Sequence, residues 1–370
     1  MGGPGEAIDA TLDRICPRRS RQGAGPPTIL AISGGASGGA FGAGLLVGLS
    51  RAGRRDQHQI VTGVSTGALI APFAFVGQAW DERLEAAYTN GLAADLFDLR
   101  RSFPNLEGGL FKAQALDALI APFVDDALLT AVAEAHEEGR RLLVATTDID
   151  RQELCVWDMG LIARLGQDGK QAEALALFRN LLAASASLPG LFAPRLIACE
   201  KDGGVYEEMH VDGGVASPLF LLPEKLIQSR EAQRRLRGGK VSVIVNTVLE
   251  ARPRSTQENI PAILTRSFET MLRFSYLQAL STTAAYCAGA GLPLVIASIP
   301  QSPEGVNLLS FETALMRRMF EVGLERAKSA TFSRDLTGSA FDDWLRWPLQ
   351  LFGAQSPDVT QINAEASERR

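Results

Sequence analysis

The run Ser33-Gly34-Gly35-Ala36-Ser37-Gly38-Gly39-Ala40 constrains this chain most, because of what stands on either side of it. Before it, Thr28 to Ser33 (TILAIS) is a short apolar run bounded by turn residues, the pattern of a buried strand. After it, Ala40 to Arg51 reads as a helix. Gln59 to Val64 repeats the theme: a second apolar run enters Gly63-Val64-Ser65-Thr66-Gly67 and then a segment, Ala68 to Val76, that is apolar nearly all round and reads as a buried helix. Further strands are expected over Arg141–Thr147, Glu153–Asp158, Leu196–Cys199, Glu207–Val211 and, most clearly, the valine-rich Lys240–Val248. Helices are expected over 125–138, 171–184, 261–290 and 310–329. Strands alternating with helices predict an α/β fold with a mainly parallel central sheet covered on both faces, and a helical C-terminal extension.

Composition sets outer bounds. Of 370 residues, 46% are hydrophobic and 21% charged, which is ordinary globular material. The net charge of -5 argues against non-specific nucleic-acid binding. The first residues lack the apolar core of a signal peptide, and no uncharged apolar run reaches membrane-spanning length, so the expectation is a cytoplasmic chain or one peripheral at a membrane. Cys16, Cys155, Cys199 and Cys287 are scattered, with no CxxC pair and no Cys/His cluster at zinc-ligand spacing, so no metal is expected. Residues 1–27 read as a short helix and a linker, and the polar stretch 356–370 as a disordered tail.

Three motifs carry chemistry. In GxSxG, a serine at a sharp strand-to-helix turn is lifted out of the sheet, and flanking glycines, here Gly63 and Gly67, relieve crowding. Chance supplies that pattern on the order of 0.2 times in such a chain, so its weight comes from the strand before it and the helix after it. The structural alternative is that Ser65 caps the helix. In the glycine-rich turn, the amides of Gly34, Gly35 and Ala36, with Gly38 and Gly39 as further candidates, can converge on a developing oxyanion. The alternatives are a tight turn or a phosphate-binding loop, although Ala40 stands where a Walker lysine is required. The third motif is Asp212-Gly213-Gly214, where the acid can accept a proton from Ser65 or serve as a turn residue. The histidines decide between mechanisms. His58, His136 and His210 all precede Asp212, so a triad in the order Ser, Asp212, His is excluded, and a Ser65–Asp212 dyad is the economical reading.

Taken in order, the glycine-rich loop, the Ser65 elbow, the segment Ala184-Ser-Ala-Ser-Leu-Pro-Gly-Leu-Phe-Ala-Pro194 and Asp212-Gly213-Gly214 resemble the patatin-like phospholipases over residues 28 to 220. The resemblance implies a three-layer α/β/α fold; the catalytic domain is expected over 28–250, with a helical part over 251–355 packed on it. It implies hydrolysis of lipid acyl esters through an acyl-Ser65 intermediate, with Asp212 as base and no cofactor. An acyltransferase or thioesterase using the same dyad, and a non-catalytic phosphate- or lipid-binding module, are the alternatives. A lipid or acyl-ester substrate is the implied partner, with transient membrane-surface contact. Two positions depart from the family pattern: Ala36 replaces its third glycine, and Gly38 its usual Arg or Lys.

Overall fold

The computed structural model describes residues 12–16, 27–97, 109–111, 113–201, 204–250, 255–300 and 310–328. The expected tail at 356–370 lies outside them. The strands are β1 (Thr28–Ile32), β2 (Ile60–Val64), β3 (Gly109–Phe111), β4 (Arg141–Asp148), β5 (Glu153–Asp158), β6 (Gly190–Phe192), β7 (Arg195–Lys201), β8 (Gly204–Asp212), β9 (Lys240–Val245) and β10 (Leu294–Ser298). The helices that shape the site are α1 (Gly39–Arg51), α2 (Thr66–Val76), α3 (Gln171–Ser185), α4 (Ile260–Ala290) and α5 (Thr313–Lys328).

The central sheet is eight-stranded, in the order β10-β9-β1-β2-β4-β8-β7 with β5 also on β4. From β10 through β4 the pairing is parallel, and β5, β7 and β8 pair antiparallel. The sheet is therefore mainly parallel, as expected, with antiparallel strands on one flank. Continuous apolar runs suit strands covered on both faces: every residue of β2 is buried. Alternate residues of β1 enter different cores. Leu30 and Ile32 face a core with Phe41 and Leu45 of α1, Ile70 of α2, Leu181 of α3 and Phe320 of α5. Ile29 and Ala31 face a second core with Leu236 and with Tyr276, Leu280 and Ala284 of α4. This gives the three layers.

Small residues set the closest helix contact. On α1, a Cβ at Gly44 would lie 2.0 Å from the carbonyl oxygen of Phe320 on α5, so the two backbones touch. The C-terminal part is not wholly helical: β10 pairs with β9 and extends the sheet. The segment 261–290, expected to be helical, forms the unbroken α4, starting where Asn259 accepts the Ala262 N–H (2.9 Å) and ending at Gly291 in the left-handed region.

Candidate active site

Parallel strands present their C-terminal ends at one edge of a sheet, where ligands bind in such folds. Here Ile32 of β1 pairs with Gly63 of β2, so the glycine-rich turn and the Ser65 turn lie side by side. β8 runs the other way. Its last residue, Asp212, pairs with Thr146 of β4, one position beyond Ala145, the partner of Val64. Register thus brings Asp212 to Ser65.

Ser65 sits at φ 56 and ψ -128, a conformation that a non-glycine residue holds only when its surroundings impose it. The turn is tight: a Cβ at Gly67 would lie 2.3 Å from the Ile32 carbonyl oxygen. The Ser65 N–H donates to Ser185 Oγ (3.0 Å), which donates to the Ala145 carbonyl (2.7 Å). The Asp212 N–H donates to the Ser187 carbonyl (2.9 Å). The Ser-rich segment at 184–194 therefore holds both residues, and this accounts for two fully buried serines.

The Asp212 carboxyl is buried. It accepts hydrogen bonds from the Gly214 N–H (2.7 Å) and from the Ser65 side chain. Loss of solvation pushes its pKa up to about 7, while the two hydrogen bonds favour the charged form and pull it down. A carboxyl poised near neutrality against a serine hydroxyl is chemically suited to take its proton. The histidines stand elsewhere. His58, His136 and His210 are all buried, none of them lines the cavity at Ser65, and desolvation lowers the His58 pKa to about 4.

In the glycine-rich turn, three of the five candidate donors already have backbone partners. The Gly34 N–H donates to the Pro218 carbonyl (3.0 Å), the Gly38 N–H to the Gly35 carbonyl (2.9 Å), and the Gly39 N–H to the Ala36 and Ser37 carbonyls. These three amides are engaged by backbone carbonyls of the fold. Gly35 and Ala36, both at positive φ (149 and 49), have amides with no such bond among the described residues.

Two residues escaped the sequence reading. Asn246, wholly buried just past β9, donates its N–H to Ser33 Oγ (3.0 Å) and its side-chain amide to the Ser33 carbonyl (2.8 Å), which pins the turn. Tyr276 of α4 brings its hydroxyl to 3.1 Å from the point where a Cβ on Gly34 would stand, and Ser65 Oγ lies 3.7 Å from that same point. Burial first, and then the charge of Asp212, push the Tyr276 pKa up. No spacing rule links either residue to the motifs.

Ser65 and Asp212 open onto a cavity of about 1220 Å³, roomier than a typical small-molecule pocket. Leu69, Phe73, Leu116, Ile120 and Phe192 line it, and Leu272 and Tyr276 of α4 close one side. At one end the ring of Phe97 meets those of Phe192 and Phe311 at 5.1 and 4.8 Å between centroids. The space is apolar and suited to hydrocarbon.

A family model described as patatin-like phospholipase matches residues 30–223. No curated protein matches the chain. Among solved structures, VipD from Legionella pneumophila is 12% identical, with 82% of this chain and 67% of that one covered and a TM-score of 0.32. Human GIVD cytosolic phospholipase A2 is 13% identical, with 92% and 63% covered and a TM-score of 0.42. The chain spans about two thirds of the length of these two structures.

Proposed function

Because this chain belongs to the patatin-like phospholipase family, whose members act on lipids, we propose that it hydrolyses lipid acyl esters with a Ser65–Asp212 dyad. One observation carries the reading most: a buried carboxyl, raised to about 7, hydrogen-bonded by a serine on a strained turn. Ser65 Oγ attacks the acyl carbonyl carbon and its proton passes to Asp212. The amides of Gly35 and Ala36 meet the oxyanion, each such donor typically worth roughly 2.7–4 kcal/mol. Asp212 returns the proton to the leaving alcohol, leaving acyl-Ser65. Water then adds to the acyl carbon with Asp212 again as base, and the fatty acid departs.

Fluorophosphonate labelling tests the nucleophile. The wild type is expected to gain a single adduct on the peptide that contains Ser65, and Ser65→Ala to gain none. An adduct at the same rate in Ser65→Ala would remove Ser65 from this role.

The reading extends to where the substrate lies. Among the described residues no helix is long and apolar enough to cross a membrane. Yet the outward face of α4 exposes Ile260, Ile263, Leu264, Met271 and Phe274 along one stripe, Met271 at 71%. Met271 and Phe268 also line the cavity, so the stripe is continuous with the route to Ser65. We propose that this face rests on lipid aggregates during turnover. Burying one such side chain is worth about 1.5–3 kcal/mol, so Ile263→Glu and Leu264→Glu are each expected to weaken partition onto phospholipid vesicles by about tenfold to a hundredfold. Turnover of a short water-soluble ester should stay unchanged. Equal losses on both substrates would place these residues in the chemistry instead, and loss of a dimer would mark the face as a protein interface.

A further inference from the structure

Away from the cavity, a second group of reactive side chains gathers where β4, β5, β7 and β8 meet. Donor atoms of Asp148, Cys155 and His210 all lie within 4.8 Å of one another. Strand register assembles them. Asp148 sits opposite His210 across β4–β8, and Thr146, on the same face two residues earlier, sits opposite Cys155 across β4–β5. Two further donors adjoin. Glu208, two residues before His210, places Oε2 3.4 Å from His210 Nε2 and 3.3 Å from Cys199 Sγ.

The hydrogen bonding of Asp148 adds a second observation, an acceptor without a donor. Its side chain is fully buried. One carboxylate oxygen accepts the N–H groups of Asp150 (3.0 Å) and Arg151 (3.1 Å). The other, Oδ2, is buried and accepts no hydrogen bond among the described residues. Arg151 Nε forms an ion pair with it at 3.6 Å, too long for a hydrogen bond, and the same guanidinium is shared with Glu208 at 2.5 Å and the Tyr206 hydroxyl at 2.9 Å. A buried carboxylate oxygen without a donor is costly. His210 is arranged as a metal ligand would be: Nδ1 is bonded to Thr146 Oγ1 (3.0 Å), itself fixed by the Trp157 Nε1–H (2.7 Å), which leaves Nε2 toward the other donors.

We propose that Asp148, Cys155 and His210 bind a divalent transition-metal ion of the zinc type, with Glu208 completing the coordination. Oxygen, nitrogen and sulfur donors together match that class of ion. Cys155 and Cys199 are half-buried, which gives the ion a path from solvent. On binding, the Cys155 thiol releases its proton to solvent as the sulfur–metal bond forms, with no change of oxidation state. The ion ties the β4–β5 hairpin to β8, the strand that ends in Asp212. The sequence alone predicts no metal because these ligands have no short spacing; four strands have to pair before they meet.

Cobalt(II) titration of the reduced, chelator-treated full chain tests this. The wild type is expected to develop a saturable sulfur-to-cobalt charge-transfer absorption at one equivalent, with quenching of Trp157, whose ring lies 5.6 Å from that of His210. Zinc should displace it. Cys155→Ser should lose the charge-transfer band while remaining folded by circular dichroism, and Asp148→Asn should bind cobalt roughly tenfold or more weakly. Absence of a saturable band in the wild type would overturn the proposal. So would the same band in Cys155→Ser. Should Asp148→Asn fail to fold, the near-isosteric Cys155→Ser decides alone.

Discussion

Asp212→Asn is expected to lower kcat on an acyl ester by about 10²- to 10⁴-fold, the usual worth of a positioned general base, and yet to melt above the wild type at pH 8. The two effects share one cause. The folded carboxyl has a pKa raised from 3.8 to about 7 because burial opposes its charge. Between those values the folded state binds a proton that the unfolded chain has released. Stability from this group is therefore complete below about pH 4 and is lost as pH rises to about 7. Above that, the charged buried carboxylate costs on the order of 4 kcal/mol. The neutral amide carries no such cost, can still accept the Gly214 N–H, and can donate to Ser65. The gap in Tm should be small near pH 4 and widest above pH 7. In the wild type, kcat/KM should fall as pH drops through about 7, because the base must be ionised. A limb near pH 4, or a variant less stable by the same amount at every pH, would sink this account.

Gly35→Ala is expected to remove most activity, roughly 10²- to 10³-fold as for the loss of one oxyanion donor, and to destabilise the fold by several kcal/mol. A Cβ at position 35 would stand 1.9 Å from the Asn246 carbonyl oxygen, at φ 149. Asn246 cannot retreat freely, since its own amides are bonded to Ser33. Gly53→Ala is the control: it too has positive φ, but nothing lies within 4 Å, so only backbone strain of about 1 kcal/mol is expected. Thermal unfolding of the pair separates strain from collision. The same carbonyl explains the departure at Gly38. A Cβ there would lie 2.1 Å from Asn246 O, so installing the family's basic residue by Gly38→Arg would disrupt the turn, not restore a function.

Local patterns carried much of the site. The strand–glycine–helix units at 28–51 and 59–76, the elbow around Ser65 and the absence of histidine after Asp212 are short-range features, because strand burial, turn chemistry and residue order are written within a few positions. β10 was missed because Leu294–Ser298 is a brief apolar run next to a long helix, and its identity as a strand comes from pairing with β9. Which loop amides remain available was equally beyond local reading: Gly34 is engaged by Pro218, far along the chain, and a carbonyl partner leaves no mark at the donor. Asn246 and Tyr276 reach the site from outside the motif blocks, and Asp148, Cys155 and His210 share a corner only because antiparallel strands set them in register. The sequence by itself determined the βα architecture, the serine and the acid. The tertiary structure decided their environment: burial that raises Asp212, the strained turn at Ser65, and contacts that engage the amides of Gly34, Gly38 and Gly39, since desolvation and close approach exist only once distant segments have packed together.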